Sequence, residues 1–139
     1  MKKKNNWFWN VVIVIAVAGC AFAFILHYKN WTKIEGDTLK ITSGIYSQEI
    51  SFSQINGIEF VAKLPEMERE NGFSWLAREK GVFKDSITGN VAYVFVDDLR
   101  QQKVRLIHSD SLLLYFNLVD SLETTRFYQE IRSKMSTDQ

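Results

Sequence analysis

The chain reads as an α+β protein: an N-terminal transmembrane helix, then a β-roll or small barrel, then a C-terminal helix capping its open end. Three observations predict this class. Residues Trp7 to Leu26 form an apolar run without a charge. From Trp31 onward, apolar stretches of strand length alternate with turns containing Gly, Asp, Asn and Ser. After Asp120 the apolar spacing changes to that of a helix.

The first element is WFWNVVIVIAVAGCAFAFIL. At 1.5 Å per residue it spans roughly 30 Å, the hydrocarbon thickness of a bilayer. Trp7 and Trp9 mark one edge, Tyr28 and Trp31 the other, as expected of rings that are part apolar and part hydrogen-bonding. Val11, Phe22, Phe24 and Leu26 supply apolar bulk between them. His27 ends the run and is expected at the interface. Val17-Ala18-Gly19-Cys20 also resembles a bacterial lipoprotein cleavage box, and a basic start before an apolar run is the form of a signal peptide. Against processing, the run continues apolar through Leu26, where a lipoprotein normally begins a polar tether. Lys2, Lys3 and Lys4 precede the run, and Lys29, Lys33 and Lys40 follow it. The N-terminal cluster is denser, so the N-terminus is expected in the cytoplasm and the domain outside it. The boundaries read as a basic tail over 1–6, an anchor over 7–27, a domain over 28–135 and a tail over 136–139.

In the domain, Trp31–Glu35 and Thr38–Thr42 flank the tight turn Gly36-Asp37. Ser43-Gly44 leads into Ile45–Ile50, and Ile55–Val61 follows. Ala62–Gly81 is charged and poorly periodic, with an Asn71-Gly72 turn signal, and reads as a long connection. Strand signals return at Val82–Lys84, Val91–Val96, Val104–His108 and Leu112–Leu118. Asp120 and Glu123 form a capping-box pattern, and Leu122, Thr125, Tyr128, Ile131 and Met135 fall near one helix face.

Composition excludes several functions. The 139 residues carry a net charge of +1, but beyond the anchor 14 basic residues face 16 acidic ones. Nucleic-acid binding draws most of its affinity from neutralised phosphates, so it is not expected. The lone Cys20 rules out an internal disulfide or a Cys-based zinc site. Neither a Walker-type loop nor a dinucleotide fingerprint is present. His108, Ser109 and Asp110 are consecutive, whereas a triad needs groups converging from separate elements, so they read as a turn. Asp97-Asp98 reads as a polar strand end opening a hairpin, not as part of a Ca²⁺ site. No catalytic residue, cofactor or metal is expected.

Two stretches, Leu64–Phe83 (LPEMERENGFSWLAREKGVF) and Leu114–Ile131 (LYFNLVDSLETTRFYQEI), resemble the membrane-tethered, bacterial pleckstrin-homology-like domains of Bacteroidetes type. The resemblance covers most of 29–135 and implies seven or so strands with a C-terminal helix, in a non-enzymatic interaction or assembly role at membranes. Recognition of phosphoinositide-type headgroups is disfavoured, because the loop that usually carries the cations is here Glu35-Gly36-Asp37, and Lys40 reads as an ordinary strand residue. The resemblance implies a bacterial inner membrane, and the expected partners are the lipid bilayer and another membrane or envelope protein. Arg69, Phe73, Trp75 and Arg78 mix aromatic and basic character and are the candidate partner contacts; the competing reading has Phe73, Trp75 and Leu76 plugging the barrel. An enzyme with an unrecognised hydrolase or transferase site, and a binding lipoprotein anchored through Cys20, remain the alternatives.

Overall fold

Residues Trp7 to Tyr28 form helix α1, in a computed structural model that describes residues 6–137. The basic tail at Lys2–Lys4 lies outside the described residues, as does the side chain of His27. Among the described residues α1 is the one helix long and apolar enough to cross a membrane, over Trp7–Leu26, and none of that span is buried. Trp7, Trp9, Val11, Phe22, Phe24 and Tyr28 are exposed and Leu26 half-buried. An apolar surface of this kind is compatible with a single-pass membrane protein or a signal sequence. Cys20 is exposed midway along α1, and the helix continues unbroken to Tyr28.

Among the described residues nine strands follow. β1 (Trp31–Glu35), β2 (Thr38–Ser43) and β3 (Tyr46–Ser51) make an antiparallel three-stranded sheet. β4 (Ile55–Val61), β5 (Met67–Trp75), β6 (Arg78–Asp85), β7 (Val91–Val96), β8 (Lys103–His108) and β9 (Leu112–Asn117) make a six-stranded sheet in the order β4-β8-β9-β7-β6-β5. Helix α2 (Ser121–Thr137) closes the chain. The set is sandwich-like, with nine strands where the resemblance implied seven or so.

Alternation of side chains along the strands builds two cores. One face of the large sheet, with Phe95, Val104, Leu106, Leu114 and Phe116, packs with Leu39, Ile41 and Ile50 of the small sheet and with Phe127 and Ile131 of α2. The opposite face gathers Phe83, Val94, Leu113 and Tyr115, with Leu64 and Leu99 packed against them.

Five expectations need correction. Ala62–Gly81 is no loop: most of it is the hairpin β5–β6, turning at Leu76-Ala77. β5 is an edge strand exposed from Glu68 to Asn71, so it lacks the apolar alternation that marks a strand. Asn71-Gly72 is not a turn either. It follows a bulge in β5, and Gly72 lies opposite Gly81. Asp97-Asp98 opens no hairpin, because β8 runs not beside β7 but beyond β9, which lies parallel to β7. The β7–β8 connection therefore crosses the end of β9. Finally, α2 buries Thr124, Phe127 and Ile131 rather than Leu122 and Thr125, which are exposed; Tyr128 and Met135 do pack on the core. The cap is half a box, with Asp120 Oδ1 accepting from the Leu122 amide at 2.8 Å.

Candidate functional site

The most unusual chemistry in the domain is a buried polar cluster where α1 ends. Register places Lys80 of β6 opposite Phe95 of β7, and Asp97 two residues on projects to the same face. Both side chains are 0% exposed, and Lys80 Nζ lies 2.9 Å from Asp97 Oδ1. Asn30 sits just after α1 and is buried with them. Its amide donates to Asp97 Oδ2 at 2.8 Å. Its carboxamide nitrogen donates to the Asn117 carbonyl at 2.8 Å and to the Phe95 carbonyl. Its Oδ1 accepts from Ser43 Oγ at 2.5 Å and from Lys80 Nζ at 3.1 Å. The carboxamide thus uses both donors and both lone pairs. Asn30 ties the anchor exit to the small sheet through Ser43 and to three strands of the large one.

Asn117 extends the cluster. Its Oδ1 accepts from the amides of Asp97 (2.8 Å) and Asp98 (3.0 Å), and its Nδ2 donates to the carbonyls of Asp98 (2.7 Å) and Gln102 (3.3 Å). These bonds hold the β7–β8 connection across β9. Lys103, also buried, donates to the carbonyls of Ala62 (3.0 Å) and Leu99. Burial pushes the Lys80 ammonium below its usual pKa, with the Asp97 carboxylate opposing the shift; burial does the same to Lys103, opposed by Asp98.

A lysine, a carboxamide and a carboxylate buried together are also the components of an intramolecular amide bond, formed by attack of Nζ on Cγ with loss of ammonia. Here Nζ donates to Oδ1 and the carboxamide nitrogen donates to two carbonyls, so hydrogen bonds link Asn30 to β6, β7 and β9. The cluster is built as a joint.

The sequence-predicted contacts divide around this joint. Arg78 Nε donates to the Tyr28 carbonyl at 2.8 Å, and its guanidinium lies 4.7 Å from the Tyr28 ring and 5.8 Å from that of Trp75. Trp75 meets Phe24 edge-on at 6.0 Å. These two candidates therefore sit against α1. Arg69 lies farther along the hairpin, bonded to Ser74 and, at 3.2 Å, to Glu79, with its guanidinium 5.6 Å from the Phe83 ring. Phe73 is half-buried. Trp75 and Leu76 are 48% and 78% exposed, so they do not plug the core. Sequence reasoning missed Lys80, Asn30 and Asn117. The signal available was a lysine beside a glycine in KGVF, and Asn30 directly after the anchor, but neither points to the other in one dimension.

The other candidates stay apart. Ser109 and Asp110 have positive φ in a tight turn, and the Asp110 amide donates to Asn56 Oδ1 at 2.9 Å. His108 is buried, with Nδ1 3.2 Å from Ser109 Oγ and Nε2 without a partner. The described residues contain no group of three or more His, Cys, Asp or Glu arranged to hold a metal. The β1–β2 turn lies at the end of its hairpin away from α1, and Lys40 pairs across strands with Glu49 at 2.8 Å.

Burial lowers the His108 pKa from 6.5, so the unfolded chain binds a proton that the folded one refuses. Stability is expected to fall as the pH drops below about 6.5. Glu35, Asp85 and Asp98, whose pKa values are lowered from 4.5, 3.8 and 3.8, weaken the fold only at more acid pH. Urea unfolding at about pH 7 and about pH 5 checks this, and His108→Leu is expected to flatten the difference.

Comparison with protein-family models, with curated proteins and with solved structures returns no match.

Proposed function

We propose that this chain is a single-pass, membrane-anchored interaction module of the bacterial pleckstrin-homology-like kind, which displays a non-enzymatic binding surface outside the cytoplasm. One observation carries the reading: Asn30 is built into the domain interior directly after α1, so no free tether separates anchor from domain. A linkerless joint confines the domain to a thin layer over the bilayer and raises its effective concentration for neighbours there. Edge strand β5, exposed over Glu68–Asn71 with alternating charge, is the face offered to a second envelope protein. Its bulge and charges guard it against indiscriminate strand pairing, leaving side-chain recognition as the mode of contact.

The test is photo-crosslinking in native membranes from Glu68 and Glu70. A reproducible protein adduct at these positions, absent from a crosslinker at Ile87, supports the reading. Identical adducts from both faces, or none from β5, overturn it.

A further inference from the structure

Outside α1, Trp31, Ile45, Trp75, Leu76 and Val119 are exposed large apolar side chains at one end of the domain, the end from which the helix leaves, while Ile87 stands exposed in the β6–β7 turn and Leu122 on α2. β1 starts beside α1 at Trp31, which is 45% exposed. β2 returns to the same end at Ser43, which bonds Asn30, so the next turn brings Ile45 there with 78% exposure. The β5–β6 turn arrives beside Tyr28 and presents Trp75 and Leu76. β9 ends there too, at Asn117, followed by exposed Val119. Between the hairpin tip and the β7–β8 connection lies an open cleft of about 650 Å³ lined by Leu76, Arg78, Asp98, Leu99, Arg100 and Val119.

Leu76 violates two preferences at once. Its φ of +54° is one that bulky residues avoid, and its side chain is packed against little of the domain. Trp75 touches Phe24, which belongs to the apolar span itself, so the tip is level with the end of that span. Around the apolar residues stand Lys29, whose Nζ lies 4.3 Å from the Trp31 ring, Arg78 and Arg100. Of the acids at this end, Asp97 is buried against Lys80 and Asp98 is bonded to Arg100, while Asp120, next to Val119, is exposed.

We infer that this end of the domain docks into the membrane interface, with Ile45, Trp75 and Leu76 entering the headgroup–acyl boundary and Lys29, Arg78 and Arg100 meeting lipid phosphates. The bilayer is the occupant because the patch is continuous with the apolar span, and a ring of cations around apolar tips complements an anionic lipid surface. The inference rests on α1 being a membrane span.

The test uses the full chain in vesicles, with Cys20→Ser and one spin label at a time on Leu76→Cys, Ile45→Cys, Ile87→Cys or Phe22→Cys. Accessibility to oxygen is compared with accessibility to a water-soluble nickel complex. Docking predicts that labels at 76 and 45 collide with nickel at least about threefold less often than the label at 87, as an immersed interfacial site does. Vesicles containing phosphatidylglycerol are expected to shield them more than phosphatidylcholine alone. Equal nickel access at 45, 76 and 87, with 22 shielded, overturns the docking and leaves the anchor standing. Nickel access at 22 as well overturns the anchor itself. A Leu76→Asp/Ile45→Asp variant, labelled at 75 through Trp75→Cys, is expected to regain nickel access if docking holds the tip down; unchanged shielding there overturns the role of these side chains.

Discussion

Lys80→Met is expected to destabilise the domain by about 3–5 kcal/mol, because it leaves the Asp97 carboxylate buried without its counter-charge. In a domain of this size that corresponds to a Tm lowered by more than about 10 °C. The paired change Lys80→Met/Asp97→Asn is expected to cost clearly less than the sum of the single ones, since it removes both charges and keeps an acceptor for the Asn30 amide. Thermal unfolding of the three variants measures the coupling; strict additivity contradicts a buried ion pair. There is a pH signature as well. The folded Lys80 gives up its proton more readily than the unfolded one, so the lysine makes stability rise with pH from its lowered value up to about 10.5. Lys80→Met reduces that slope, leaving the share of Lys103, which has the same sign.

Gly81→Ala is expected to be as damaging by a different route. Gly81 has φ +151°, and a Cβ there would stand 2.1 Å from the Asn71 carbonyl oxygen and 2.6 Å from Gly72 Cα. Gly72, at φ +138°, is its mirror, with the Lys80 carbonyl oxygen 2.2 Å from a built Cβ. The obstacles are backbone atoms, so the strands themselves must separate. A loss of about 3 kcal/mol or more follows, with the hairpin moving out of register and carrying Lys80 away from Asp97. Gly36→Ala is the control: it also has positive φ (+57°) but meets nothing within 4 Å, so its cost is expected near 1 kcal/mol. Urea titration, with amide exchange across β5 and β6, separates a local clash from a general loss of stability.

How much was legible in the sequence depended on which side chains faced the core. β4 and β7 match the expected Ile55–Val61 and Val91–Val96 residue for residue, because their apolar runs are bounded by turn residues. Helix α1 was equally plain, since its length and absence of charge over Trp7–Leu26 are read directly from the sequence. β5 was lost because an edge strand with Glu68, Arg69 and Glu70 in water carries no inward pattern. The face of α2 was rotated because Leu122 is exposed while Thr124 is buried, donating its hydroxyl to the Asp120 carbonyl at 3.1 Å and accepting from the Leu118 amide at 2.9 Å. The joint was invisible for a deeper reason. Asn30, Ser43, Lys80, Asp97 and Asn117 come from five elements or their ends, and only the parallel placement of β9 beside β7 brings them together. Of the four proposed partner contacts, Arg78 lies against Tyr28 and Trp75 against Phe24, contacts that no sequence pattern announces.

The Asn30 joint also governs how the molecule can turn. A domain on a slack tether explores a hemisphere of orientations and forgets which way its helix faces. With Asn30 clamped between two sheets, spinning α1 about its own axis swings β5 through the same angle. Under the proposed membrane-spanning reading, any contact that fixes the azimuth of the helix in the bilayer thereby aims the edge strand at one compass bearing above it.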